Sequence, residues 1–106
     1  MLRIFLLFAE KPHFRSRMPI ETLGEFGKDL SLTCDIRGLP APEVTWYRDG
    51  IPVKETPNLR FSIHDGNNTL AISFMRLEDS GMYQCMAENG AGAVTGYTWL
   101  RVKSKL

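Results

Sequence analysis

The residues of this chain with the most chemical reach are two cysteines, two histidines and the run Asp79, Ser80, Gly81. A reaction needs a nucleophile, a base or a metal set gathered in one place, and the spacing argues against each. His13 and His64 have no Cys or carboxylate at ligand spacing, which makes them surface or rim residues. Cys34 and Cys85 stand far apart in the chain and not as a C-x-x-C redox pair. Asp79, Ser80 and Gly81 are contiguous turn formers, not members of a triad. Gly90 and Gly92 of G-A-G do not lie between a strand and a helix, so they are no phosphate cradle; they read as the turn joining the last two strands, with positive backbone angles. The expectation is a chain that is not an enzyme and holds no cofactor and no metal.

The totals narrow the partners. A formal charge of +1, from 13 basic and 12 acidic residues, creates no field that would recruit nucleic acid or an anionic membrane. Arg101, Lys103 and Lys105 make only a small basic tail, read as a solvated exit toward a next module. No run approaches the eighteen or so apolar residues of a membrane span, so direct membrane insertion of this segment is not expected. The opening M-L-R-I-F-L-L-F-A-E has the form of a signal peptide in miniature, yet is shorter than one. It reads as a truncated leader, the end of a preceding module or an expression remnant. If ordered, it must bury Phe5, Leu6, Leu7 and Phe8 along a sheet edge or against a second copy. At 106 residues there is room for one domain, placed at residues 11–103 between a leader or linker (1–10) and a tail (104–106).

Short strands must position these residues. Pro12 and Pro19 make Lys11 to Thr22 an edge strand in two pieces, broken at Arg15, Ser16 and Arg17, and Gly24 to Gly27 form the next turn. Lys28 to Asp35 alternates, with Leu30, Leu32 and Cys34 inward. Gly38, Pro40 and Pro42 carry the chain across to a second sheet. Glu43 to Arg48 buries Val44 and Trp46, Asp49-Gly50 is a hairpin turn, and a short strand runs from Ile51 to Val53, ended by Pro57. Leu59 to His64 and Thr69 to Phe74 form a hairpin burying Phe61, Ile63, Leu70 and Ile72, and Met75 plugs the core. After a corner, Met82 to Glu88 alternates with Tyr83, Cys85 and Ala87 on one face. In the final strand, Ala93 to Val102, the inward set is Val94, Gly96, Thr98 and Leu100. No helix longer than a turn near Arg76 to Ser80 is expected, and no repeat is present.

K-P-H-F, L-S-L-T-C, G-L-P-A-P-E-V-T-W-Y-R-D-G and L-E-D-S-G-M-Y-Q-C-M-A-E-N-G-A-G follow one another in a recognisable order. From about Lys11 to Val102 the chain resembles an immunoglobulin-superfamily domain of the I-set, the kind strung in tandem in cell-adhesion molecules and in giant muscle proteins. The resemblance implies an all-β immunoglobulin-like sandwich of two antiparallel sheets, with a tyrosine corner at Tyr83 and Trp46 packed at its centre. It implies a disulfide between Cys34 and Cys85, formed in an oxidising compartment; the alternative is two reduced, buried thiols. It also implies an ion pair of Arg60 with Asp79, beside Gly81, closing the base of the sandwich; the alternative is a solvated Arg60 and an Asp79 that only caps its turn.

Two features face outward. Asn67, Asn68, Thr69 is an N-x-T sequon at a hairpin tip, so Asn67 is a candidate N-glycosylation site if the chain is secreted. The alternation also gathers Tyr47, Met82, Gln84, Met86, Tyr97 and Trp99 on the outer face of one sheet, with Thr45 and Arg101 at its margin. Aromatics, Met and Arg are the types enriched in protein interfaces. That face is a partner surface, or is covered by the chain's own N-terminal run or an adjacent module, or is simply exposed. The reading is a protein-binding or spacing module of an extracellular, cell-surface adhesion or receptor glycoprotein, flanked by further domains, with a protein partner that includes the homophilic case. The alternative is a cytoplasmic module of a muscle or cytoskeletal filament protein.

Overall fold

The computed structural model describes residues 8–55 and 60–104. The strands are β1 (Glu10–Ser16), β2 (Glu21–Glu25), β3 (Leu30–Thr33), β4 (Asp35–Leu39), β5 (Glu43–Arg48), β6 (Ile51–Pro52), β7 (Phe61–His64), β8 (Thr69–Ile72), β9 (Gly81–Asn89) and β10 (Gly92–Lys103). The only helical element among the described residues is a 3-10 turn at Leu77–Asp79. Phe5, Leu6, Leu7, Pro57, Leu59 and Lys105, on which parts of the sequence reading fell, lie outside the described residues.

One layer is the five-stranded sheet β2-β10-β9-β5-β6. The other is built from β3-β8-β7 together with the pair β1-β4. β3 and β4 form one strand interrupted at Cys34, whose N–H donates to Asn68 O, just before β8, at 2.8 Å. Below that point the strand pairs with β8; above it, with β1. The uninterrupted strand expected over Lys28 to Asp35 is thus two, and it runs on through Gly38 to Leu39 before Pro40.

The break expected at Arg15, Ser16 and Arg17 is where the first strand becomes irregular: its pairing with β4 shifts register between Phe14 and Ser16, and β1 ends at Ser16. Three further expectations change. Gly24 and Glu25 are strand, not turn: they sit opposite Val102 and Lys103 in a parallel ladder, and a Cβ on Gly24 would meet Met75 Sδ at 2.6 Å. The sheets are therefore not purely antiparallel, since β2 runs parallel to β10. Finally, the last hairpin turns at Gly90–Ala91, and Gly92, whose φ is positive at 158°, is the first residue of β10. The left-handed glycines are Gly27, Gly50 and Gly66.

The core lies between the layers. Leu32, Leu70, Ile72 and Phe61 come from one side, and Val44, Trp46, Tyr83, Ala87, Leu100 and Val102 from the other. Met75 is buried with them. Period-two alternation suffices to build it: in β10, Gly96, Thr98, Leu100 and Val102 are buried while Tyr97, Trp99 and Arg101 are exposed.

Candidate partner-binding face

A surface can recognise a partner cheaply only if the layer beneath it is rigid. Here that layer is pinned at its centre and at both ends. At the centre, a disulfide joins Cys34 to Cys85, with Cα atoms 6.3 Å apart. Trp46, 1% exposed, fills the space beside it and donates its indole N–H to Asn67 O at 2.8 Å. That bond ties β5 in one layer to the β7–β8 turn of the other.

At the base, Arg60 makes two parallel bonds to the Asp79 carboxylate, both 2.9 Å, a bidentate geometry among the stronger charge-assisted pairs. Arg76 N–H donates to the same carboxylate at 2.8 Å. Burial alone would raise the Asp79 pKa, but the Arg60 and Arg76 hydrogen bonds outweigh it and hold the carboxyl below its ordinary value. Tyr83, fully buried, donates its hydroxyl to Asp79 O at 2.6 Å. Burial pushes its phenol up to about 12. Gly81 is placed where a side chain would strike the Asp49 carboxylate, at 2.8 Å, and that carboxylate accepts the N–H of Met82 at 2.9 Å.

Two clasps were not read from the sequence. Asp49 appeared there only as a hairpin former, yet its N–H also donates to Met82 O at 2.8 Å, so it staples the β5–β6 turn onto β9. Asn89 donates to Glu10 O and Pro40 O at 2.8 and 3.0 Å and accepts the N–H of Ala91. The signal for both was residue type alone: Asp and Asn at strand ends bond backbone groups readily.

On this platform the outer side chains of β2, β10, β9, β5 and β6 form rows. Trp99 stands directly opposite Met82 on one side and Glu21 on the other. The next row is Tyr97, Gln84, Tyr47 and Pro52. A third is Thr95, Met86 and Thr45. Cross-strand partners stand about 5 Å apart, so Tyr47, Met82, Gln84, Met86, Tyr97 and Trp99 share one surface. Trp99 is 50% exposed and Tyr97 45% exposed. Leu23, opposite Arg101 on β2, extends the apolar area. Arg101 and Glu21 face each other at 3.8 Å on its margin.

The histidines do not join this face or each other. His13 lies on β1, its Nδ1 3.3 Å from Lys11 O, and His64 on β7 bonds Ser62 Oγ at 2.7 Å. Asn67 sits exposed in the left-handed region (φ 73°) at the β7–β8 turn. Among the described residues no group of three His, Cys, Asp or Glu could hold a metal ion. No helix among them is long and apolar enough to cross a membrane.

Comparison with known proteins adds a family. The immunoglobulin I-set domain matches residues 12–102. Protein sidekick of Drosophila melanogaster is 42% identical over 100 residues, which span 93% of this chain and 4% of that protein. Among solved structures, Sidekick-1 immunoglobulin domains 1-4 superpose with a TM-score of 0.82 at 33% identity, over 90% of this chain and 25% of that one. The titin domains z1z2 in complex with telethonin superpose with a TM-score of 0.80 at 28% identity, over 92% and 49%. No enzymatic family is indicated by these matches.

Proposed function

We propose that this chain, which belongs to the immunoglobulin I-set family, is a non-enzymatic protein-binding module of a longer extracellular adhesion or receptor protein, with residues 11–103 as the module. The observation that carries the reading is the half-exposed Trp99 set among Tyr97, Met82 and Tyr47 on a disulfide-stiffened sheet. Such a face loses little conformational entropy on docking, because its side chains stand on strands already fixed beneath them. A Trp at the centre of an apolar, methionine-bearing patch has the character of a hot spot. A second copy of the chain is the first partner to test, since a formal charge of +1 opposes self-contact very little.

The extracellular placement draws on the Cys34–Cys85 bridge, which persists in oxidising compartments, and on the exposed sequon at Asn67. We assign Asn67 as a glycan acceptor. A mass gain removed by glycosidase after secretory expression, and absent in Asn67→Gln, is the expected result. The likeness to titin domains supports a second reading, a cytoplasmic filament module. Two free thiols in protein from its native compartment would favour it.

The decisive experiment is Trp99→Ala. The melting temperature should stay nearly unchanged, while self-association in analytical ultracentrifugation, or capture of a cell-surface partner, weakens roughly thirtyfold or more, the scale of a hot-spot truncation. A large loss of stability with binding intact would overturn the assignment of this face.

A further inference from the structure

We propose that the aromatic pair Phe26 and Phe74, at the end of the sandwich where β10 exits, is the docking surface for the module that follows in the same chain. The inference rests on the multi-module reading above, and its observations lie wholly outside the Trp99 face.

Phe26 and Phe74 meet edge to face, ring centroids 5.6 Å apart at 74°. Both are about half exposed, as is Leu77 on the same β8–β9 connection. Phe74 also has a left-handed backbone (φ 51°), which a residue with a Cβ adopts only against a steric penalty. The surroundings enforce it. Its N–H donates to Asp29 Oδ1 at 2.8 Å, and its carbonyl accepts from Arg60 Nη1 at 3.3 Å. The turn that carries Phe26 is clasped to the same segment by Gly27 N to Met75 O and Met75 N to Lys28 O, both 2.8 Å. A strained backbone and two exposed rings do nothing for an isolated sandwich. They give an aromatic contact already fixed in its bound form.

The occupant follows from where the chain leaves. Phe26 N–H donates to Lys103 O at 2.8 Å, so the last residue of β10 is hydrogen-bonded to the residue carrying one of the two rings. Lys103 therefore leaves the sandwich beside the pair. Tethering at that point gives a following module a millimolar effective concentration, and a contact of a few apolar side chains then suffices to set the angle between modules. The chain spans 4% of the length of the fly relative and 25% of a chain that holds immunoglobulin domains 1-4 of Sidekick-1.

The test compares this chain alone with the chain extended, as its parent gene encodes it, through the next module, each as wild type, Phe74→Gly and Phe26→Ser. Alone, Phe74→Gly should leave the melting temperature unchanged or raise it by a few degrees, because glycine relieves the left-handed strain. In the extended chain the wild-type module should melt several degrees higher than alone, and either substitution should erase that gain. Residual dipolar couplings should report one alignment for both modules in the wild type and two in the variants. Equal responses in both contexts, with independent alignments throughout, would overturn the proposal and leave the multi-module reading intact. Concentration-dependent self-association of the single module that Phe74→Gly abolishes would overturn it in favour of a second copy. A parent gene with no module after this one would overturn the proposal.

Discussion

Two indoles of one sheet, on β5 and β10 with β9 between them, have opposite duties, and the difference is one of parity. Trp46 points inward, bonds the opposite layer and is 1% exposed. Trp46→Ala should lower unfolding free energy by about 3–5 kcal/mol through lost packing, measured by urea denaturation, whereas the outward Trp99 should tolerate the same change. Titration separates two further residues. The Asp79 carboxyl is held below its ordinary value by Arg60 and Arg76 against the opposing effect of burial, so the unfolded chain binds its proton first. The stability it contributes is therefore complete above about pH 4 and is lost as pH falls through its depressed folded value. Tyr83 has the opposite sign. Its phenol, pushed up to about 12 by burial, contributes stability that is present below about pH 10 and declines as pH rises toward 12. Denaturation midpoints across both limbs should show this, with Asp79→Asn flattening the acid side alone and Tyr83→Phe the alkaline side alone. An unaltered acid limb in Asp79→Asn would contradict the ion-pair account.

At the scale of elements, the strands depend on where side chains are missing as much as on where they are present. Gly96 is buried on β10 with the Phe14 ring of β1 lying across it, in the space a Cβ would fill. Gly96→Val should push Phe14 away and loosen β1 from the sandwich, costing about 1–3 kcal/mol as overpacking. Hydrogen exchange is the measurement: amides of the β1–β4 ladder should lose protection while those of β9 keep theirs. Unchanged protection in β1 would mean that the ring relocates without strain. The positions of most strands, and the side each residue faces, were legible in the sequence because alternation is a local property. The ends were less so. Gly24 reads as a turn former by type, yet it stands opposite Val102 in the parallel ladder, where Met75 leaves no room for a side chain.

For the molecule as a whole, the disulfide closes a loop of 51 residues between the layers. Chain-entropy reasoning gives about 4 kcal/mol for a loop of that size, so reduction should lower the denaturation midpoint without changing strand content by circular dichroism. Loss of all structure on reduction would mean that the hydrophobic core by itself is insufficient. Period-two patterning in the chain was enough for the short strands and for which residues face inward or outward, while the sandwich that assembles them was what the resemblance to the I-set implied. The folded arrangement was needed to show that β2 lies parallel to β10, that one strand changes partners at Cys34, and that Phe26 meets Phe74 beside the exit of the chain. Those facts join residues remote in sequence, and no local pattern encodes which distant backbone will satisfy a given N–H or which distant ring will cover another.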